Sequence, residues 1–175
     1  MLEHLVLPRR GAFRAHSLAV LAAGGLLALA STGCTSIVGE QSAETKFLVG
    51  SAGDGSFFGW SEITIEQDAN SVDGAKLNAV TIEPLEGSSA TDLTFVQSVV
   101  GEAVTSKART TVVEQLSMPP GERLVSMNVV HTGDLRGFFE DGHTIRVEWS
   151  GKTNPSYPWP PEGIWIRVRV FVEIE

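Results

Sequence analysis

The C-terminal stretch Ile164-Trp-Ile-Arg-Val-Arg-Val-Phe-Val-Glu-Ile-Glu175 decides the fold. Ile164, Ile166, Val168, Val170, Val172 and Ile174 occupy every second position, and Trp165, Arg167, Arg169, Phe171, Glu173 and Glu175 fill the alternate ones. Side chains of a β-strand point to opposite faces in turn, so this is a long half-buried strand with one wholly aliphatic face. A helix would need its apolar residues at spacings of three and four, and that pattern is absent here.

The same period of two recurs upstream. His143–Ser150 places Ile145, Val147 and Trp149 on one side. Further strands are predicted over Phe58–Gln67, Ala75–Glu83, Asp92–Val104 (bent near Val100-Gly101), Arg109–Leu116 and Arg123–His131. Turn sequences separate them: Asp73-Gly74, Glu86-Gly-Ser-Ser89, Pro119-Pro-Gly121 and Asp141-Gly142. Asp141-Gly142 directly before a strand is a hairpin signal. Asp134–Glu140 breaks the alternation and reads as a helical turn crossing one end. Seven strands of this kind in about 120 residues predict an all-β chain, a single antiparallel β-sandwich over residues 57–175. It is immunoglobulin-like by analogy alone, because the Cys–Trp–Cys hallmark is missing.

Charge is divided unevenly. The chain has 13 basic and 21 acidic residues, a net of −8. Residues 1–34 contain Arg9, Arg10 and Arg14 against Glu3, so they carry +2 and residues 35–175 carry −10. Such acidity argues against a nucleic-acid surface, which needs clustered Lys and Arg. The single cysteine excludes an internal disulfide framework and a cysteine-rich zinc site.

That cysteine follows an export-type segment. Three arginines precede an uncharged run from Ser17 to Ala30, which is short of the roughly 20 residues needed to span a bilayer. Leu29-Ala-Ser-Thr-Gly-Cys34 then resembles the lipobox of bacterial lipoproteins through its Thr32-Gly33-Cys34 ending, with Ser31 where an aliphatic residue is usual. The resemblance implies a signal peptide over 1–33, a diacylglycerol on the Cys34 thiol, cleavage before Cys34 and acylation of the new amino terminus. It also implies a cell-envelope location. Thr35 in place of Asp after the cysteine favours the outer over the inner membrane. Acyl chains contribute about 0.8 kcal/mol per buried methylene, so two or more make a stable anchor. Apart from that acyl modification no cofactor is expected. Residues 34–56 read as lipidated cysteine and flexible tether, with Phe47-Leu-Val49 available as a short first strand.

Candidate sites are few. His131 and His143 lie at predicted strand ends beside turns, and with Asp134 or Asp141 they make a meagre metal set. No Gly-x-Ser-x-Gly elbow supports a hydrolase, and scattered acids read as solvated surface. Asp68, Asn70 and Asp73 put three oxygen donors in one turn, as a calcium loop would, although such residues also favour turns for backbone reasons. The proline-rich segment Asn154–Gly163 carries Tyr157 and Trp159, either as a recognition loop or folded back over an open end of the sandwich. On the last strand, Trp165, Arg167, Arg169 and Phe171 form a cationic-aromatic stripe. It reads as an interaction face if free, or as a charge ladder if Glu62, Glu66 or Glu148 lies beside it. These features predict a non-catalytic binding or assembly module with an envelope protein or glycan partner. The alternatives are a carbohydrate-binding domain using Tyr157 and Trp159, with calcium, and an envelope hydrolase.

Overall fold

Ile164–Ile174 lies between two neighbours in a four-stranded sheet. The computed structural model describes residues 39–50, 54–139 and 141–175. Its strands are β1 (Gly39–Val49), β2 (Ser56–Thr64), β3 (Ala75–Pro84), β4 (Val96–Val104), β5 (Arg109–Gln115), β6 (Val125–Ser126), β7 (Asn128–Val129), β8 (Thr144–Thr153) and β9 (Ile164–Ile174). One sheet has the order β1-β9-β3-β6 and the other β2-β8-β4-β5-β7. All of their pairings are antiparallel. The inner faces share one hydrophobic core, so the domain is an antiparallel β-sandwich. The expected helical turn is the 3-10 turn Arg136–Phe138, and a second one spans Ala69–Ser71.

Three expectations need correction. Residues 39–49 are not tether. They form an eleven-residue strand paired along its whole length with β9, from Gly39 opposite Ile174 to Val49 opposite Ile164. The inward positions begin with Gln41, Ala43 and Thr45, which are small or polar, so only Phe47 and Val49 announced a buried face. Arg123–His131 is not one strand either. It gives two-residue β6 to one sheet and two-residue β7 to the other, passing between them at the buried Met127. Finally, the immunoglobulin analogy extends to the two-layer architecture but not to the strand order. Here the first and last strands are neighbours in one sheet, whereas constant-type immunoglobulin domains hold them in opposite sheets.

The core is organised around Trp149 on β8. Its ring stacks on Phe47 of β1 at 4.9 Å, and Phe47 stacks in turn on Phe57 of β2 at 6.0 Å, so the column ties the two sheets together. Trp149 is 1% exposed, and its indole N–H donates to the buried Ser61 Oγ at 2.9 Å. That bond removes the penalty of a buried unsatisfied donor. The bend expected near Val100-Gly101 is a register shift between Gly101 and Glu102, with Val112 of β5 as the extra residue. A Cβ on Gly101 would stand 2.6 Å from Trp149 Cζ3 and 2.8 Å from Val113 Cγ2, so glycine there makes room for the indole. The void between the sheets is about 20 Å³ and lined wholly by apolar side chains, which leaves no interior ligand chamber there.

The turns are held by carboxylates. Asp92 Oδ1 accepts from the Thr94 hydroxyl at 2.6 Å and the Thr94 N–H at 2.9 Å. Asp141 Oδ1 accepts from the backbone N–H groups of His143 and Thr144. These bonds hold both carboxyls below the usual carboxylate range: for Asp92 the Thr94 hydroxyl leads, and for Asp141 the His143 amide leads. Groups depressed in the folded state stabilise it above their unfolded pKa, near 4, and lose that contribution as pH falls through the folded value. The thermal midpoint should therefore be level above about pH 5 and fall below about pH 4. An Asp92→Asn, Asp141→Asn double variant should show a flatter acid limb in thermal melts. A further measurement checks the core. Gly101→Ala should cost about 1–3 kcal/mol by overpacking against Trp149, read as a lower denaturation midpoint at unchanged m-value.

Candidate interaction surface

Hydrogen-bond parity shows which backbone groups the sandwich leaves open. In an antiparallel pair, residues whose N–H and C=O face the partner alternate with residues whose groups face away. The Ile65 N–H donates to His143 C=O and the Thr153 N–H to Gly55 C=O, and the register between those points has no shift. Odd-numbered residues of β2 therefore bond to β8. The backbone groups of Phe58, Trp60 and Glu62 point away from it, along the free edge of the five-stranded sheet. On β9, the Leu85 N–H to Trp165 C=O bond assigns the odd residues to β3 and the even ones to β1. The same count leaves Glu44, Lys46 and Leu48 with their backbone groups on the free edge of β1.

These two long free edges meet at one corner of the sandwich. A Cβ on Gly59 would sit 3.2 Å from the Leu48 carbonyl oxygen, so the two strands touch there. Toward one end the seam is closed by Gln41, whose side-chain oxygen accepts from the N–H groups of Glu66 and Gln67. Toward the other it widens into a cleft of about 670 Å³, with Lys46 and Leu48 on one wall and Phe58, Trp60 and Glu62 on the other. Trp165 of β9 completes it. Phe58 is 63% exposed, Trp60 53% and Trp165 40%, an unusual concentration of open aromatic surface in a domain that buries Phe47, Phe57, Phe95 and Trp149. Two cations attend the rings. The Lys46 ammonium stands 5.0 Å from the Trp165 ring centroid, and the Arg146 guanidinium 4.9 Å from that of Trp60. Lys46 has no carboxylate within ion-pair distance among the described residues.

Phe58 and Trp60 were missed in the sequence, but a signal is visible in hindsight. Phe57, Ser61 and Ile63 alternate as the buried face of β2, so Phe58 and Trp60 are out of phase with it. Large aromatics out of phase on a strand belong to the outer face.

The anticipated sites fare differently. Tyr157 and Trp159 do not form an exposed recognition loop. Both are half-buried and pack on Phe95, at 5.6 and 5.7 Å between ring centroids, and the Trp159 indole N–H donates to the Asn154 carbonyl at 3.0 Å. They close one end of the core, because a sandwich end left uncovered would expose Phe95 to water. The stripe on β9 is a ladder with partners other than those anticipated. Arg167 and Arg169 each pair with Glu44 of β1 and Glu83 of β3, at 3.2–3.4 Å. Glu62 and Glu148 lie on the other sheet, on β2 and β8, and Glu66 follows β2. Of that stripe Trp165 alone reaches the cleft, and Phe171 is half-buried.

In the Asp68-to-Asp73 turn the Asp68 carboxylate serves as a backbone cap. Asp68 Oδ1 accepts from the Asn70 N–H at 2.8 Å as an N-cap, and the Asp73 N–H donates to the Glu175 carbonyl. Asp134 accepts from Ala75 N–H and from Arg136, tying the 3-10 turn to β3. His131 packs edge-on against Phe138, while His143 Nδ1 lies 3.3 Å from the Ile65 carbonyl. Among the described residues, no group of three His, Cys, Asp or Glu side chains converges as a metal site. Cys34 and the segment before it lie outside the described residues.

No family model matches the chain, and comparison with curated proteins also finds no match.

The aromatic end cap makes a direct prediction. Tyr157→Ala combined with Trp159→Ala should lower the unfolding free energy by about 2–4 kcal/mol, since both rings cover Phe95. An unmoved midpoint in thermal and denaturant melts would show that the rings are not core.

Proposed function

We propose that the chain is a lipid-anchored lipoprotein of the bacterial envelope whose β-sandwich is a non-catalytic binding or assembly module. The observation that carries this reading is the open aromatic cleft at the β1/β2 corner. Exposed Phe58, Trp60 and Trp165 cost solubility and contribute nothing to the core, whereas Trp and aromatic side chains with flanking Arg are what protein interfaces concentrate. The anchor rests on the lipobox-like Ser31-Thr32-Gly33-Cys34 and on the basic and apolar segment ahead of it. Among the described residues no helix is long and apolar enough to cross a membrane, and in this reading acyl chains on Cys34 hold the domain instead.

The corrected start of the domain shortens the leash. Five residue steps separate Cys34 from Gly39, a reach of at most about 18 Å. The cleft lies near the other end of β1, around Lys46 and Leu48, about 25 Å further along the strand. The cleft therefore lies toward the end of β1 opposite Gly39. Residues 35–175 carry −10, which suits a soluble surface facing the periplasm or exterior and disfavours direct adhesion to anionic lipid. The outer membrane is the favoured location.

Two measurements test the reading. Cys34→Ala should move the protein from membrane to soluble fractions and abolish acyl labelling; persistent labelling at the membrane would contradict the anchor. Phe58→Ser with Trp60→Ser should abolish crosslinking to envelope partners in the native host and leave the unfolding free energy within about 1 kcal/mol, because neither ring is buried. Retained crosslinking would remove the cleft from the function.

A further inference from the structure

We infer that the free edge of β2 accepts an extended peptide segment of a partner protein as an added antiparallel or parallel strand. This deepens the binding-module reading and rests on it for the use of the cleft. The backbone of Phe58, Trp60 and Glu62 presents three N–H donors and three C=O acceptors in one row, two residues apart. That spacing, roughly 6.7 Å, is the repeat of a peptide backbone in a sheet, and strand addition uses it for affinity while side-chain pockets supply specificity. A strand added here lies about 4.8 Å beyond β2, in the space the cleft provides. Its outward side chains come beside Phe58 and Trp60, where aromatic and β-branched cross-strand pairs are favourable.

The edge departs from the usual protection of sheet edges. Free edges are commonly kept short, broken by proline or bulges, or lined with charge. The opposite ends of the two sheets follow this practice with two-residue β6 and β7. β2 runs nine residues with an unshifted register and shows two large aromatics on its outer face.

Charge selects the occupant. Arg146 is paired with Glu148 at 3.4 Å, whereas Lys46 lines the cleft over Trp165 with no carboxylate at ion-pair distance among the described residues, so the cleft favours a strand that carries an acidic side chain near Lys46. A second copy would oppose two domains of −10 each, and a glycan would leave the regular row of amides and carbonyls without a matching partner.

Glu62→Pro isolates the mechanism. Its N–H faces the free edge, so proline there removes no bond to β8, yet it places a ring where an added strand must approach. A displayed library of random nine-residue peptides is selected on the full chain purified in detergent, and the enriched peptides are synthesised and titrated. The expected peptides alternate apolar residues and carry an acidic one. Glu62→Pro and, separately, Trp60→Ser should each weaken their binding at least tenfold at an unchanged melting midpoint, and Lys46→Gln should erase the acidic preference. Should Glu62→Pro lower the midpoint, the Trp60→Ser titration together with slowed exchange of the Phe58, Trp60 and Glu62 amides on peptide binding decides the matter. Absence of enriched peptides, or binding indifferent to Glu62→Pro with those three amides unslowed, overturns strand addition. Sedimentation showing a dimer that Glu62→Pro dissolves assigns the edge to a second copy and also overturns it. If Trp60→Ser abolishes envelope crosslinking while Glu62→Pro leaves it intact, the binding surface stands and strand addition alone fails.

Discussion

The structure depends on burying one face of β9 on both of its flanks. Its six inward aliphatic side chains are each no more than 3% exposed, and their transfer from water is worth roughly 10–18 kcal/mol gross. A strand that long cannot stand at an edge without offering a template for aggregation, and here β1 and β3 cover its two sides. The outer face is accommodated as well. Arg167 and Arg169 lie between Glu44 on one neighbour and Glu83 on the other, so two cations in mid-sheet are offset by carboxylates on each side. Such half-exposed pairs add little stability individually, but they make the register favourable in charge as well as in packing.

Placing β1 beside β9 settles where the openings of the sandwich fall. With the first strand occupying the outer position of one sheet, the chain crosses directly to β2 at the outer position of the other. Two long edges are thereby brought to one corner. The Phe57–Phe47–Trp149 column lies behind that corner and fastens it from within. Phe58 and Trp60, one residue out of phase with the column, are left outside. The same alternation that builds the core thus exposes the rings.

Legibility in the sequence followed the strength of that alternation. β9 and β8 were readable because their inner positions are unmixed aliphatic or aromatic residues, and β3 because Leu77, Val80 and Ile82 straddle only a small irregularity near Asn78. β1 was not, since Gln41, Ala43 and Thr45 occupy its inner face near the rim, where Gln41 is needed to bridge to Glu66 and Gln67. The stretch 123–131 looked like one strand because a chain passing between sheets still alternates. For Tyr157 and Trp159 the sequence left two readings, an exposed loop or a cover over an open end, because nothing local encodes that Phe95 lies beneath; the structure shows the cover. Ion-pair partners on β9 were out of reach for a related reason: strand order, and hence Glu44 and Glu83, is a property of the whole sheet.

The proposed recognition requires β2 to be an open edge whose alternate backbone groups have no partner in the isolated protein. Residue-resolved amide hydrogen exchange tests this without any ligand. Phe57, Gly59, Ser61 and Ile63, bonded to β8, should be protected to a degree approaching global unfolding, while Phe58, Trp60 and Glu62 should exchange close to the rate of an unstructured chain. Uniform protection along β2 would mean that its outer groups already have partners, and would contradict the open edge on which the proposed recognition rests.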